Sequence, residues 1–65
     1  MSYTSIIHCK NANYQVDHGQ TEDNAISSFE LWCANSDVIW AHLFECKTGR
    51  MIATFNNVQG LRRLA

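Results

Sequence analysis

The sequence predicts an α+β fold: a small antiparallel sheet with one helix packed on one face, in the order β-β-α-β-β. Three observations predict it. Stretches rich in β-branched and aromatic residues stand toward both ends of the chain, each interrupted by turn formers. Between them lies one segment with apolar residues at helical spacing. The whole is 65 residues with no proline, no repeat and no low-complexity run, which allows a single domain. Residues 1–57 are expected to form the compact α+β unit, and residues 58–65 a short C-terminal tail or helical turn.

Each element has a local reason. YTSIIHC, residues 3–9, reads as a strand, Asn11 to Asn13 as a turn, and YQV after it as a second short strand. Gly19 breaks the pattern. Thr21 can then cap a helix, with Glu22 and Asp23 in the first turn where the helix dipole favours negative charge. Ala25, Ile26, Phe29, Trp32 and Cys33 follow at helical spacing, with Ser27, Ser28 and Glu30 between them. FELWCA taken alone also suits a strand, but the capped, periodic context favours the helix. Asn35 is the expected left-handed stop. Val38–Cys46 and Arg50–Phe55 form the second hairpin, and Asn56, Asn57 and Gly60 break the chain after it.

The turn of that hairpin decides which face is inside. A two-residue Thr48-Gly49 turn would need positive φ, which β-branched Thr48 resists. A Lys47-Thr48-Gly49 loop with Gly49 in the left-handed position suits the residues better and sets Cys46 opposite Arg50. In that register Ile39, Ala41, Leu43, Met51, Ala53 and Phe55 share a face, which is the expected core beneath the helix. The other face collects Val38, Trp40, His42, Phe44, Cys46, Arg50, Ile52 and Thr54. One helix cannot cover both. Either the first hairpin or the tail folds over this second face, or it meets another protein surface.

Composition narrows the function classes. Hydrophobic residues at 46% and charged residues at 17% describe an ordinary globular chain, not a disordered one. A domain this small buries only about 60% of its unfolded surface and commonly needs a disulfide, a metal or a partner. Three widely spaced cysteines, Cys9, Cys33 and Cys46, argue against a disulfide framework and for the reducing cytoplasm. MSYTSIIHCK lacks a basic n-region and a long apolar h-region, so no secretion signal is expected, and no apolar run approaches a membrane span. Net charge is −1, but every charge from Asp17 to Glu45 is acidic and every charge outside that window is basic. Such segregation can steer association.

Residues able to carry chemistry do not assemble into a signature. His8 and Cys9 point to opposite sides of a strand, and His42 and Cys46 are separated by about 13 Å along theirs, too far to share a zinc ion. No Cys-x-x-Cys or His-x-x-x-His pair occurs, and Gly19, Gly49 and Gly60 form no phosphate-cradling loop. No catalytic residue, metal ligand or cofactor is therefore assigned. The sequence reads as a non-catalytic protein-interaction module, an adaptor, inhibitor or regulator, and as a homodimer joined through Trp40, His42, Phe44, Arg50 and Ile52. The alternative is single-stranded nucleic-acid binding, with bases stacked on Trp40 and Phe44 and phosphates held by Arg50, Arg62 and Arg63. Five basic residues against six acidic ones give that reading a thin electrostatic footprint, and it ranks second.

Overall fold

The computed structural model describes residues 2–64; Met1 and Ala65, at the ends of the expected domain and tail, lie outside the described residues. The elements are β1 (Tyr3–Cys9), β2 (Asn13–Asp17), α1 (Glu22–Cys33), β3 (Val38–Glu45), β4 (Met51–Asn56) and β5 (Gly60–Arg63). The strands form one antiparallel sheet in the order β2-β1-β3-β4-β5, and α1 packs across β1 and β3. The expected α+β fold is present, with one strand more than expected. Residues 60–63 are that strand, so they are neither a tail nor a helical turn. Asn57–Gln59 form the connecting turn: the Asn56 side chain accepts from the Val58 amide at 2.8 Å, and Gly60 takes φ +84° opposite Asn56.

The helix begins as its residues dictate. Thr21 is extended and its Oγ1 accepts from the Asn24 amide at 3.3 Å, with Glu22 and Asp23 in the first turn. Ala25, Ile26, Phe29 and Cys33 are the buried stripe. It ends differently from expectation. No non-glycine residue among those described has positive φ, so Asn35 is not a left-handed stop. Its side-chain oxygen instead accepts from the Asp37 amide at 2.9 Å, turning the chain toward β3 with ordinary backbone angles.

Register is where sequence and structure part. Four residues, 46–49, lie between the pair that closes this hairpin: the Glu45 amide donates to the Arg50 carbonyl and the Gly49 amide to that of Glu45. Glu45, not Cys46, therefore stands opposite Arg50. Thr48 is the reason, since its hydroxyl donates to the Glu45 carboxylate at 2.7 Å and accepts from the Arg50 amide at 3.2 Å. Gly49 does take the left-handed position, at φ +71°.

Two irregularities then shift the parity of the strands. Ile39 is the extra residue between the His8–Trp40 and Cys9–Val38 pairs, and Ile52 that between the Leu43–Ala53 and Phe44–Met51 pairs. As a result Val38 and Ile52 enter the core, while Ile39 and Met51 do not belong to it. Ala41, Leu43 and Ala53 are fully buried and Phe55 packs against them, as the pattern predicts. Tyr3, Ile7 and Cys9 of β1 complete the sheet side of a core whose other wall is the helical stripe.

Candidate functional site

Among the described residues no second layer covers the face of the sheet away from α1. Along β1, Tyr3, Ser5, Ile7 and Cys9 are buried and Thr4, Ile6 and His8 alternate with them. Trp40, His42 and Phe44 do the same on β3, the central strand. Cross-strand pairing joins the two sets: Thr4 with Phe44, Ile6 with His42, His8 with Trp40. β4 adds Met51 opposite Phe44 and Thr54 opposite His42, and β5 adds Arg62 opposite Thr54.

The rings on this face form a continuous row. His8 stacks on Trp40 with centroids 5.2 Å apart and planes within 24°; Trp40 leans on His42 at 5.0 Å, and His42 on Phe44 at 6.2 Å. Both imidazoles are anchored at Nδ1. His8 bonds the Asn13 side-chain oxygen, which fixes Nδ1 as the donor. His42 Nδ1 lies 2.9 Å from the Thr54 hydroxyl, whose hydrogen is directed at the Ala41 carbonyl 3.3 Å away, so Nδ1–H is assigned as the donor there too. The row is thus oriented by neighbours on the adjacent strands while its outer surface stays accessible: Trp40 is 37% exposed and Ile6 44%.

Trp40, His42 and Phe44 are therefore brought together as the sequence predicts. Ile52 is not on this face; the bulge turns it inward, where it is 0% exposed. Arg50 is not either, because its guanidinium reaches Glu22 at the start of α1, 3.9 Å away, on the opposite side of the sheet. Of the cations proposed for nucleic acid, Arg62 shares the face, whereas Arg63 stands opposite core residue Ala53 and belongs to the helix side. Ile6, His8 and Met51 were missed. The alternation in YTSIIHC was the available signal for the first two, and it acquires meaning only once β1 is paired with β3.

A second polar constellation lies inside. His18 is buried and bridges two serines, Nε2 to Ser5 Oγ at 2.6 Å and Nδ1 to Ser28 Oγ at 2.8 Å, with its ring edge-on to Phe29. Burial holds its pKa below the usual histidine value, opposed by the nearby Asp17 carboxylate. Ser5 is fully buried, which gives a substrate no approach to it. The triad ties β1, the β2–α1 connection and α1 together, so its visible work is structural.

The cysteines are unpaired: Cys9 and Cys33 are core residues and Cys46 is exposed. Burial, with Glu30 adding to it, pushes the Cys33 thiol up to about 12, which keeps it protonated and unreactive at neutral pH. Among the described residues no group of three or more His, Cys, Asp or Glu side chains could hold a metal ion, and no helix is long and apolar enough to cross a membrane. No protein-family model matches the chain, and neither a curated protein nor a solved structure matches it significantly.

Proposed function

We propose that the chain is a non-catalytic interaction module, an adaptor, inhibitor or regulator, that works as a two-fold homodimer joined through the open sheet face. The observation that carries this reading is the row His8–Trp40–His42–Phe44, flanked by Ile6 and Met51, with no layer over it among the described residues. Size is compatible. The two longer dimensions, 30 and 21 Å, bound a face of roughly 600 Å², the small end of stable interfaces per partner. Unpaired thiols support the cytoplasm or another reducing compartment as its setting.

Charge favours one arrangement of the two copies. Asp17 stands opposite Thr4 at the β2 edge of the open face, and Arg62 lies at the β5 edge of the same face. A two-fold axis running along β3 sets β2 of one copy over β5 of the other and brings Asp17 toward Arg62 twice. It also lays the aromatic row of β3 on its own symmetry mate, the self-complementary contact an isologous dimer needs. An axis across the strands would instead set like edges together. The preferred arrangement is two aligned sheets in a four-layer sandwich with helices outside.

Light scattering behind size exclusion, under reducing conditions and over a range of concentrations, tests this. The expected result is a mass twice that of the chain. Trp40→Lys should return it to monomer with an unchanged circular-dichroism spectrum. Asp17→Arg should weaken the dimer and Arg62→Asp in the same chain restore it. A monomer at every concentration would overturn the dimer. The ring row with Arg62 beside it also favours the second reading, single-stranded nucleic acid stacked on Trp40 and Phe44. Oligonucleotide binding that weakens steeply with salt and is lost in Trp40→Ala would move that reading ahead.

A further inference from the structure

On the helix side, at the opposite surface from the ring row, the chain has a second concavity that the dimer does not use. It is a cleft of about 180 Å³ between the β1–β2 turn and the end of α1, lined by Tyr14, Trp32, Asn11, Asn35 and Asp37 among others. We propose that it is a binding subsite for a guanidinium head group, that of an arginine side chain.

Four observations converge on that chemistry. Tyr14 and Trp32 make an aromatic corner, with centroids 5.6 Å apart and planes inclined at 45°, so that ring surface is presented to the cleft. The charged side chain in the lining is a carboxylate, Asp37, and it has no ion-pair partner within 4 Å among the described residues. The C-terminus of α1 adds the negative end of the helix dipole, with no basic residue in its last turn and Glu30 within that turn. Finally, the backbone that carries the acid is held in place: the Asp37 amide donates to the Asn35 side-chain oxygen and its carbonyl accepts from the Lys10 amide.

Aromatic faces beside an unpaired carboxylate and a negative helix end repel anions and favour a cation over a neutral ligand of the same shape. They suit a cation with a flat, weakly hydrated surface. Guanidinium stacks on an aromatic plane and offers a planar fork to a carboxylate at the same time. A compact ammonium gains the charge pair and loses the stacking. The volume agrees: it is below the several hundred Å³ of sites that enclose a whole small ligand, and it fits a head group with part of its stem. Lys10, next to Asn11 of the lining, makes no ion pair with Asp37.

The test is a titration of the isotopically labelled full chain, followed by the amide and indole N–H signals at constant ionic strength. The probe is N-acetyl-arginine methylamide and the control is its neutral isostere, N-acetyl-citrulline methylamide. Saturable shifts of the Trp32 indole and of the Tyr14 and Asp37 amides are expected with arginine and not with citrulline. Asp37→Asn should weaken binding about tenfold, as loss of one charge-assisted contact implies, and the same spectra report that the variant is folded. A capped Gly-Arg-Gly peptide that binds tighter than the single residue assigns the head group to a partner chain, and equal binding assigns it to free guanidinium compounds. Equal shifts with citrulline, unchanged affinity in Asp37→Asn, or no saturation at all would each overturn the proposal. None of these readouts depends on the ring row, so the dimer and the subsite stand or fall separately.

Discussion

Ile52→Ala isolates the feature that most changes the reading of this chain. The strand pattern places Ile52 on the open face, where truncation would cost a few tenths of a kcal/mol. The bulge places it in the core at 0% exposure, beside Leu43 and Ala53. Removing three carbons from a fully buried isoleucine costs about 2–5 kcal/mol, the transfer of the lost groups plus the cavity they leave. A chain of 65 residues has a total stability of about 3–10 kcal/mol, so the loss is a large share of what exists. For domains of this size 1 kcal/mol moves the midpoint by about 4–8 °C, and a 3 kcal/mol loss therefore lowers it by about 12–24 °C. The assay is thermal and urea unfolding followed by circular dichroism at one fixed protein concentration, with Met51→Ala as the control. Met51 precedes Ile52 and pairs with Phe44 on the open side, so its truncation should cost much less. If the two variants are equally mild, or Met51→Ala is the worse, the bulge is misplaced and the alternation read from sequence is right.

Two further predictions concern the interior. Leu43→Lys should unfold the chain outright, because a lysine at a fully buried position in the middle of β3 has neither water nor a partner for its charge; a cooperative unfolding transition would refute that. The pH dependence of stability should carry a contribution from His18. Its pKa is lower folded than unfolded, so the unfolded chain binds the extra proton first. Stability is therefore full above the unfolded histidine value of about 6.5 and falls as the pH drops below it, levelling once the folded pKa is passed. His18→Gln should flatten the slope in that window, and an unchanged slope would show that His18 does not produce it.

The parts of the fold that were legible in sequence are those written within a single element. The helix announces itself through Thr21, the two acids after it and the spacing of Ala25, Ile26, Phe29 and Cys33, all local signals. Gly49 marks its turn because only a left-handed residue closes that loop. The features that were missed depend on a partner strand. A bulge is a mismatch in count between two strands, and neither Ile39 nor Ile52 carries a mark of being the extra residue. The loop length was misjudged for a similar reason. Thr48 was weighed for its backbone preference, whereas its hydroxyl, bridging Glu45 and Arg50, sets the geometry. In β5, two adjacent arginines hide the period of two, and Gly60 reads as a breaker when it is the left-handed entry to a strand.

The candidate surface was legible in its centre and not in its margins, for the same reason. Trp40, His42 and Phe44 alternate on one strand, so any register puts them together. Arg50 and Ile52 were attached to them by extrapolating an alternation across a loop and a bulge, and Arg63 as a cation of the expected tail; none of the three lies on the face. The bulge changes the character of the face as well as its membership. Ile52 is exchanged for Met51, and β1 contributes His8 and Thr4 along with Ile6, so the aromatic row is bordered by groups that water can solvate. Each imidazole is held at Nδ1 by its cross-strand neighbour, Asn13 for His8 and Thr54 for His42, so polar groups share the face with the rings and the row still presents ring surface to a partner. An all-aliphatic face of this area would be an obligate core half or an aggregation hazard. A face built this way fits a dimer in exchange with its monomer, so the proposed association should dissociate on dilution, with no loss of secondary structure.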